Sequence, residues 1–128
     1  MTALVVDDDP ELRYILRHLL RRAAPHLRVI AEAADATEAL QRFAEAEPGL
    51  VVLDNCMPGD DGLSVAAKIL TDAPDVHVVL FSADIDLDTI TRAEAVGVAA
   101  CVHKPDFERL RHVITWLANH PAEPRHDP

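Results

Sequence analysis

Carboxylates crowd together near the start of the chain, in the stretch VVDDDPELR. Asp7, Asp8 and Asp9 directly follow an apolar segment. Unit charges about 4 Å apart repel by roughly 4 kcal/mol at an effective dielectric constant of about 20, so such a cluster needs a cation or open water beside it. The triplet is therefore either a solvated turn or a site, and the other polar residues of the chain must decide between the two.

Three further side chains with useful chemistry end other apolar segments. Asp54 ends LVVLD, Ser82 ends VHVVLFS and Lys104 ends VAACVHK. Carboxylate oxygens suit Mg²⁺, and a metal together with an ammonium group neutralises charge on a transferring phosphoryl group. If these side chains meet, they predict a Mg²⁺ pocket in which Asp54 acts as a nucleophile and becomes an aspartyl phosphate, while Ser82 and Lys104 contact the phosphoryl oxygens.

Each of these side chains alone has a simpler explanation. Asp8 could be a turn carboxylate, Asp54 and Ser82 could cap turns, and Lys104 could be an ordinary solvated lysine. Only their joint placement predicts a site, so the strands and helices that carry them matter.

Strand and helix patterns alternate along the chain. Apolar segments predict strands over 3–6, 27–33, 50–54, 76–82 and 98–104. Helical spacing of apolar residues predicts a helix after each strand, and the residues that would cap or open these helices are Asp9 with Pro10, Asp35 with Glu38, Leu63, either Asp86 or Asp88, and Asp106. This alternation predicts an α/β fold: a doubly wound, flavodoxin-like sheet of five parallel strands with helices on both faces.

The strand ends also predict the strand order. The second strand ends in EAADA, which offers little chemistry, whereas the other four end in the reactive residues above. Ligands of such sheets bind outside the carboxyl ends of the strands, where the strand order reverses. The order 2-1-3-4-5 places the second strand at an edge and brings the other four ends together.

Composition limits the classes of function. The chain has 128 residues, a formal charge of −10 and two cysteines. This length suits one domain, predicted over 1–118, with a proline-rich tail or linker start over 119–128. The negative charge argues against nucleic-acid binding by this domain alone, and we expect reduced cysteines. The absence of a signal sequence or long apolar run predicts a cytoplasmic protein that does not contact a membrane.

Over about residues 2–118, the sequence resembles the receiver domains of two-component response regulators. The motifs VVDDDP, LVVLDNCMPGDDG, VVLFSAD and CVHKP occur in this order. The resemblance implies that Asp54 accepts a phosphoryl group from a sensor histidine kinase or phosphotransfer protein. It allows a homodimer, and the stretches AEAADATEAL and MPGDDGL are most similar to receivers of transcriptional regulators with a helix-turn-helix.

The resemblance also implies individual roles. Asp7 and Asp8 correspond to the acidic pair, with Asp8 a direct Mg²⁺ ligand beside Asp54 and the backbone carbonyl of Cys56. Ser82 corresponds to the switch hydroxyl. Lys104 corresponds to the lysine of the site, and its bond to Pro105 is cis in that family. Asp9 has no counterpart in the metal site, so we expect it to cap the first helix.

One position departs from the family pattern. Three residues before Lys104, where the family usually has a Tyr or Phe that swings inward, this chain has Cys101. Coupling between phosphorylation and the outer face is therefore expected to be weak, or to depend on Ser82 and the following loop alone. Cys56 and Asp84 occupy positions that tune the lifetime of the phosphoryl group in receivers.

Two alternatives stay open at this point. A haloacid-dehalogenase-type phosphatase also uses a strand-end aspartate, a hydroxyl and a lysine, and Asp7-x-Asp9 mimics its DxD motif. That family needs a further acidic pair after the lysine, and the acids beyond Lys104 form no such pair at a strand end. The other alternative is a pseudo-receiver that acts only by protein binding, which the cysteine at position 101 leaves open.

Overall fold

The structure, a computed structural model, describes residues 1–120. The strands are β1 (Thr2–Val6), β2 (Arg28–Ala33), β3 (Leu50–Leu53), β4 (His77–Ser82) and β5 (Ala100–His103). The helices are α1 (Pro10–Ala23), α2 (Ala36–Ala46), α3 (Gly62–Asp72), α4 (Leu87–Val96) and α5 (Phe107–Asn119). All strand pairs are parallel and the order is β2-β1-β3-β4-β5, so the predicted fold and strand order are confirmed.

The end of the predicted domain lies close to the end of the last helix. Helix α5 continues through Asn119, one residue past the predicted boundary at 118. The predicted tail over 119–128 lies almost entirely outside the described residues and stays a prediction.

An aspartate caps the start of every described helix. In each case the side chain accepts a hydrogen bond from a backbone N–H of the first turn, and the caps are Asp9, Asp35, Asp61, Asp86 and Asp106. The choice between Asp86 and Asp88 falls on Asp86, which accepts from both the backbone N–H and the hydroxyl of Thr89 at 2.8 Å. Part of the acidic excess of this chain therefore stabilises helix starts.

The sheet separates two apolar layers. Ala3 and Val5 of β1 face a layer with α1 and α5, whereas Leu4 and Val6 face a layer with α2, α3 and α4. All four residues of β3 are buried, as a continuous apolar run predicts for a central strand. Ile15, which shares the apolar spacing of α1, is instead 40% exposed. The two layers hold the strands in fixed register, so all strand ends form one rim.

Gly62 lets α3 begin directly against the end of β3. A Cβ at this position would overlap the carbonyl oxygen of Asp54 and lie 2.8 Å from the Cα of Asn55. The Gly62 N–H donates to the Asn55 carbonyl at 3.0 Å, and the Leu63 N–H donates to the Asn55 side chain at 3.2 Å. The last glycine of the MPGDDG stretch thus fixes the turn that positions Asp54.

Candidate functional site

The sheet's hydrogen bonds continue past the strand ends and fix the backbone of the site. The N–H of Asp7 donates to the carbonyl of Ala33, the N–H of Asp54 to that of Val6, and the N–H of Lys104 to that of Ser82, each at 3.0 Å. The backbones of three predicted site residues are therefore held by the same parallel pairing as the strands before them.

Lys104 bridges two buried carboxylates at this rim. Its ammonium nitrogen lies 2.7 Å from Oδ2 of Asp7 and 3.1 Å from Oδ2 of Asp54. Asp7 is 2% exposed and Asp54 6% exposed. Charge-assisted hydrogen bonds of this kind are stronger than neutral ones, and here they offset the repulsion between the two carboxylates. The structure thus brings together residues that lie 97 and 50 positions from Lys104 in the sequence.

The pKa values of this group follow from burial and pairing. Burial raises the pKa of the Asp7 carboxyl, and the hydrogen bonds from Lys104 and from the Asp9 N–H offset this only in part. Burial alone would lower the pKa of the Lys104 ammonium, but the hydrogen bonds and charges of Asp7 and Asp54 outweigh it and the net shift is upward. Lys104 therefore stays charged.

Asp7, Asp8 and Asp54 form an acidic cluster at the same place. Each offers a carboxylate oxygen, and these oxygens lie within 4.8 Å of one another. An all-oxygen set of carboxylates fits a hard cation such as Mg²⁺. Asp8 is exposed, whereas the other two are buried, so this cluster opens to solvent on the side of Asp8.

Asp9 belongs to the helix rather than to the cluster. Its side chain accepts from the Glu11 N–H at 2.9 Å, and its own N–H donates to Oδ1 of Asp7 at 2.9 Å. The predicted cap is confirmed. Arg13 on α1 adds a contact that the sequence did not reveal, a 2.6 Å hydrogen bond from its guanidinium to the Asp7 carbonyl oxygen. Arg13 lies one helical turn after the cap Asp9, so the sequence places it near this turn. The sequence does not show that its side chain contacts the Asp7 carbonyl.

Cys56 follows Asp54 on the turn and contacts it through the backbone. The Cys56 N–H donates to Oδ1 of Asp54 at 3.1 Å. Because Lys104 donates to Oδ2, each carboxylate oxygen of Asp54 accepts a hydrogen bond. The Cys56 thiol donates to Oδ2 of Asp84 at 3.4 Å. Burial and the Asp84 carboxylate raise the pKa of this thiol, which keeps it protonated. Two positions predicted to tune the phosphoryl group therefore contact each other beside Asp54.

Ser82 ends β4 on the other side of the rim, whereas Cys101 lies within β5, where it pairs with Leu80 of β4. Ser82 is fully buried, and its Oγ accepts from the Asp84 N–H at 3.3 Å. Cys101 is partly buried and packs against the apolar layer of α2, α3 and α4. Both cysteines are free thiols. The bond between Lys104 and Pro105 is cis, as the resemblance implies.

Comparison with known proteins agrees with this geometry. The family model for the response regulator receiver domain matches residues 3–115. The chain belongs to the receiver family. This assignment does not favour the haloacid-dehalogenase alternative.

Curated relatives of the receiver are longer proteins with different outputs. This chain is 35% identical over 123 residues to the transcriptional activator protein ExaE of Pseudomonas putida, and the match covers 92% of this chain and 57% of that protein. It is 33% identical over 118 residues to protein-glutamate methylesterase/protein-glutamine glutaminase 3 of Hahella chejuensis (strain KCTC 2396), covering 85% of this chain and 33% of that protein. The chain thus spans between a third and three fifths of these two relatives.

Solved structures give the same fold. A LuxR-family two-component response regulator from Aurantimonas sp. SI85-9A1 superposes with a TM-score of 0.85 at 29% identity, over 94% of this chain and 86% of that one. The signal receiver domain of an HD domain-containing protein from Pseudomonas fluorescens Pf-5 superposes with a TM-score of 0.82 at 30% identity, over 94% and 95%. Among residues 1–120, none of the helices combines the length and apolar character needed to cross a bilayer.

Proposed function

We propose that this receiver accepts a phosphoryl group on Asp54 from a phosphohistidine of a sensor histidine kinase or phosphotransfer protein. An oxygen of Asp54 forms the new bond to phosphorus while the P–N bond of the donor breaks. The electron pair of that bond stays on the imidazole nitrogen, which then takes up a proton. The observation that carries the proposal is the pair of contacts on Asp54, from Lys104 at 3.1 Å and from the Cys56 N–H at 3.1 Å, which orient its carboxylate.

We propose Asp7, Asp8, Asp54 and the backbone carbonyl of Cys56 as the residues that hold Mg²⁺. When bound, Mg²⁺ supplies positive charge that neutralises the phosphoryl oxygens. The three carboxylates support this ligand set through their all-oxygen chemistry and mutual distances. As the exposed member, Asp8 is proposed to be a direct ligand for an ion that arrives from solvent.

Lys104 and Ser82 are proposed to contact the transferred group. The Lys104 ammonium already lies between two carboxylates and supplies a fixed charge for a phosphoryl oxygen. Ser82 Oγ accepts a hydrogen bond from the Asp84 N–H, and we propose that its own proton is donated to a phosphoryl oxygen after transfer. Cys101 is proposed to mark the position where the aromatic switch of the family is replaced.

We propose that phosphorylation controls a separate output, and that this receiver domain catalyses only its own phosphoryl transfer and dephosphorylation. Regulation of transcription is the output proposed, because ExaE is named a transcriptional activator and the chain covers 57% of it. A methylesterase output, as in the relative from Hahella chejuensis, is the alternative, and a homodimer stays a prediction.

Acetyl phosphate, a small phosphoryl donor, tests the central step. With Mg²⁺ present, intact mass spectrometry is expected to show one added phosphoryl group on the wild-type protein, and none after Asp54→Ala or after chelation of the metal. A wild-type protein that gains no Mg²⁺-dependent adduct on Asp54 would contradict the proposal. Multiple-turnover hydrolysis of a phosphomonoester that Asp7→Asn abolishes and Asp54→Asn does not would instead support a haloacid-dehalogenase-type phosphatase.

A further inference from the structure

His103 ties the outer strand to the loop that follows Ser82. It is the last residue of β5, and its side chain is exposed. Its ring Nε2 lies 2.7 Å from the carbonyl oxygen of Ile85. A carbonyl only accepts hydrogen bonds, so Nε2 carries a proton and donates it. A histidine at the end of the edge strand therefore makes a short hydrogen bond to a neighbouring loop.

That loop, residues 83–86 between β4 and α4, is attached near the candidate site through Asp84. The Asp84 N–H donates to Ser82 Oγ at 3.3 Å, and the Asp84 carboxylate accepts from the Cys56 thiol at 3.4 Å. Ile85 is 8% exposed, so its position is fixed by packing as well as by His103. The bond to His103 is the shortest of these three, and it connects the loop to β5 rather than to the site.

We propose that His103 is the positioning residue that couples the state of Ser82 to β5, at a strand where Cys101 supplies no aromatic ring. This proposal rests on the proposed function, because it assumes that Ser82 turns toward a phosphoryl oxygen. When Ser82 does so, its hydrogen bond with the Asp84 N–H changes and the loop shifts. The His103 bond to the Ile85 carbonyl then breaks, and the imidazole on the exposed end of β5 is released. Phosphorylation thereby changes the surface that a partner meets.

Two substitutions of His103 separate this role from simple packing. His103→Gln keeps an N–H donor at about the reach of Nε2, whereas His103→Val removes the donor with a residue that suits a strand. Loss of one neutral hydrogen bond is expected to change the equilibrium between the loop bonded to His103 and the unbonded loop by a factor of about five. We therefore expect hydrogen–deuterium exchange of the amides of residues 83–88 to be about fivefold faster in unphosphorylated His103→Val, and close to wild type in His103→Gln. His112 is an exposed histidine of α5, and His112→Gln is the control. It is expected to leave the exchange of residues 83–88 at the wild-type rate.

The same measurement after treatment with acetyl phosphate and Mg²⁺ tests the coupling. Phosphorylation is expected to accelerate exchange of these amides in the wild type and in His103→Gln, but to leave it unchanged in His103→Val, with equal phosphoryl incorporation in all three. If exchange in unphosphorylated His103→Val equals that of the wild type, the His103 bond does not hold the loop. If phosphorylation accelerates exchange in His103→Val as much as in the wild type, His103 does not couple Ser82 to β5. A wild-type protein that takes no phosphoryl group overturns the proposed function and the coupling together, while exchange in the unphosphorylated variants still measures the tie.

Discussion

The two sides of the rim are held by contacts of different strength. On the carboxylate side, which consists of Asp7, Asp54 and Lys104, the lysine makes charge-assisted hydrogen bonds of 2.7 and 3.1 Å to the two buried carboxylates. On the loop side, Ser82 and Cys56 contact Asp84 at the longer distances of 3.3 and 3.4 Å. Charged hydrogen bonds are roughly twice as strong as neutral ones, and thiols are weak donors. Lys104 therefore holds the carboxylate side more tightly than Ser82 and Cys56 hold Asp84 on the loop side.

Removing the charge of Lys104 gives the largest expected change in stability in this comparison. In Lys104→Met, two carboxylates that are 2% and 6% exposed lose their shared ammonium group. Phosphorylation by acetyl phosphate is expected to slow by about 10²-fold, as for the loss of one preorganised donor. The free energy of unfolding at pH 7 is expected to fall by up to about 3 kcal/mol, because buried charge is left unpaired. Intact-mass time courses and urea denaturation measure the two effects.

Lys68→Met is the matched control for this variant. Lys68 is an exposed lysine with a 3.7 Å contact to Asp60, so both the phosphorylation rate and the stability are expected to stay near wild type. If the two lysine variants behaved alike, the carboxylate side would not be held by Lys104, and the contrast between the two sides would fail.

Asp7→Asn sharpens the comparison through pH. Burial raises the pKa of Asp7 above its ordinary value of 3.8, so the folded protein binds this proton more tightly than the unfolded chain does. Ionisation of Asp7 then lowers stability as pH rises from 3.8 through the raised pKa. Asp7→Asn removes that loss, and Lys104 keeps Asp54 as its partner. The variant is expected to melt above wild type at pH 7, with a gain that shrinks as the pH is lowered toward 3.8.

Melting curves across this pH range, measured beside Asp75→Asn as an exposed control, test the sign. A variant that is less stable than wild type at every pH would mean that pairing with Lys104 outweighs the burial of Asp7. The carboxylate side would then be a stabilising ion pair rather than a site kept at some cost in stability.

The carboxylate side could be predicted from the sequence because it depends on strand ends. The end of an apolar run predicts the end of a strand, and parallel pairing places the carboxyl ends of all strands at one rim. The strand order then brings Asp7, Asp54 and Lys104 together. The contacts of Arg13 and His103 could not be predicted in this way. Each is a side chain bonded to a backbone carbonyl, which depends on the rotamer and on the exact path of a turn or loop, and alternating hydrophobicity carries no information about either.

Helix capping was predicted at the level of residue type but not always of position. Aspartates precede most of the predicted helices, yet Asp86 and Asp88 were equally good candidates for α4 until the backbone placed Thr89 against Asp86. Helix α3 begins at Gly62, because Asp61 rather than a later residue accepts from the Ser64 N–H at 2.7 Å. Local sequence restricts a cap to a few positions, and tertiary packing chooses among them.

The smallest expected effect comes from Asp9, which lies next to the carboxylate side but does not belong to it. Asp9→Ala leaves the Glu11 N–H without its cap, at an expected cost of about 1 kcal/mol in the free energy of unfolding. The hydrogen bond that Asp9 gives to Asp7 comes from its backbone N–H and survives the substitution. Mg²⁺-dependent phosphorylation is therefore expected to stay at the wild-type rate in Asp9→Ala and to be abolished in Asp8→Ala. Urea denaturation and intact-mass assays on both variants check this, and a loss of phosphorylation in Asp9→Ala would extend the metal site to the whole triplet.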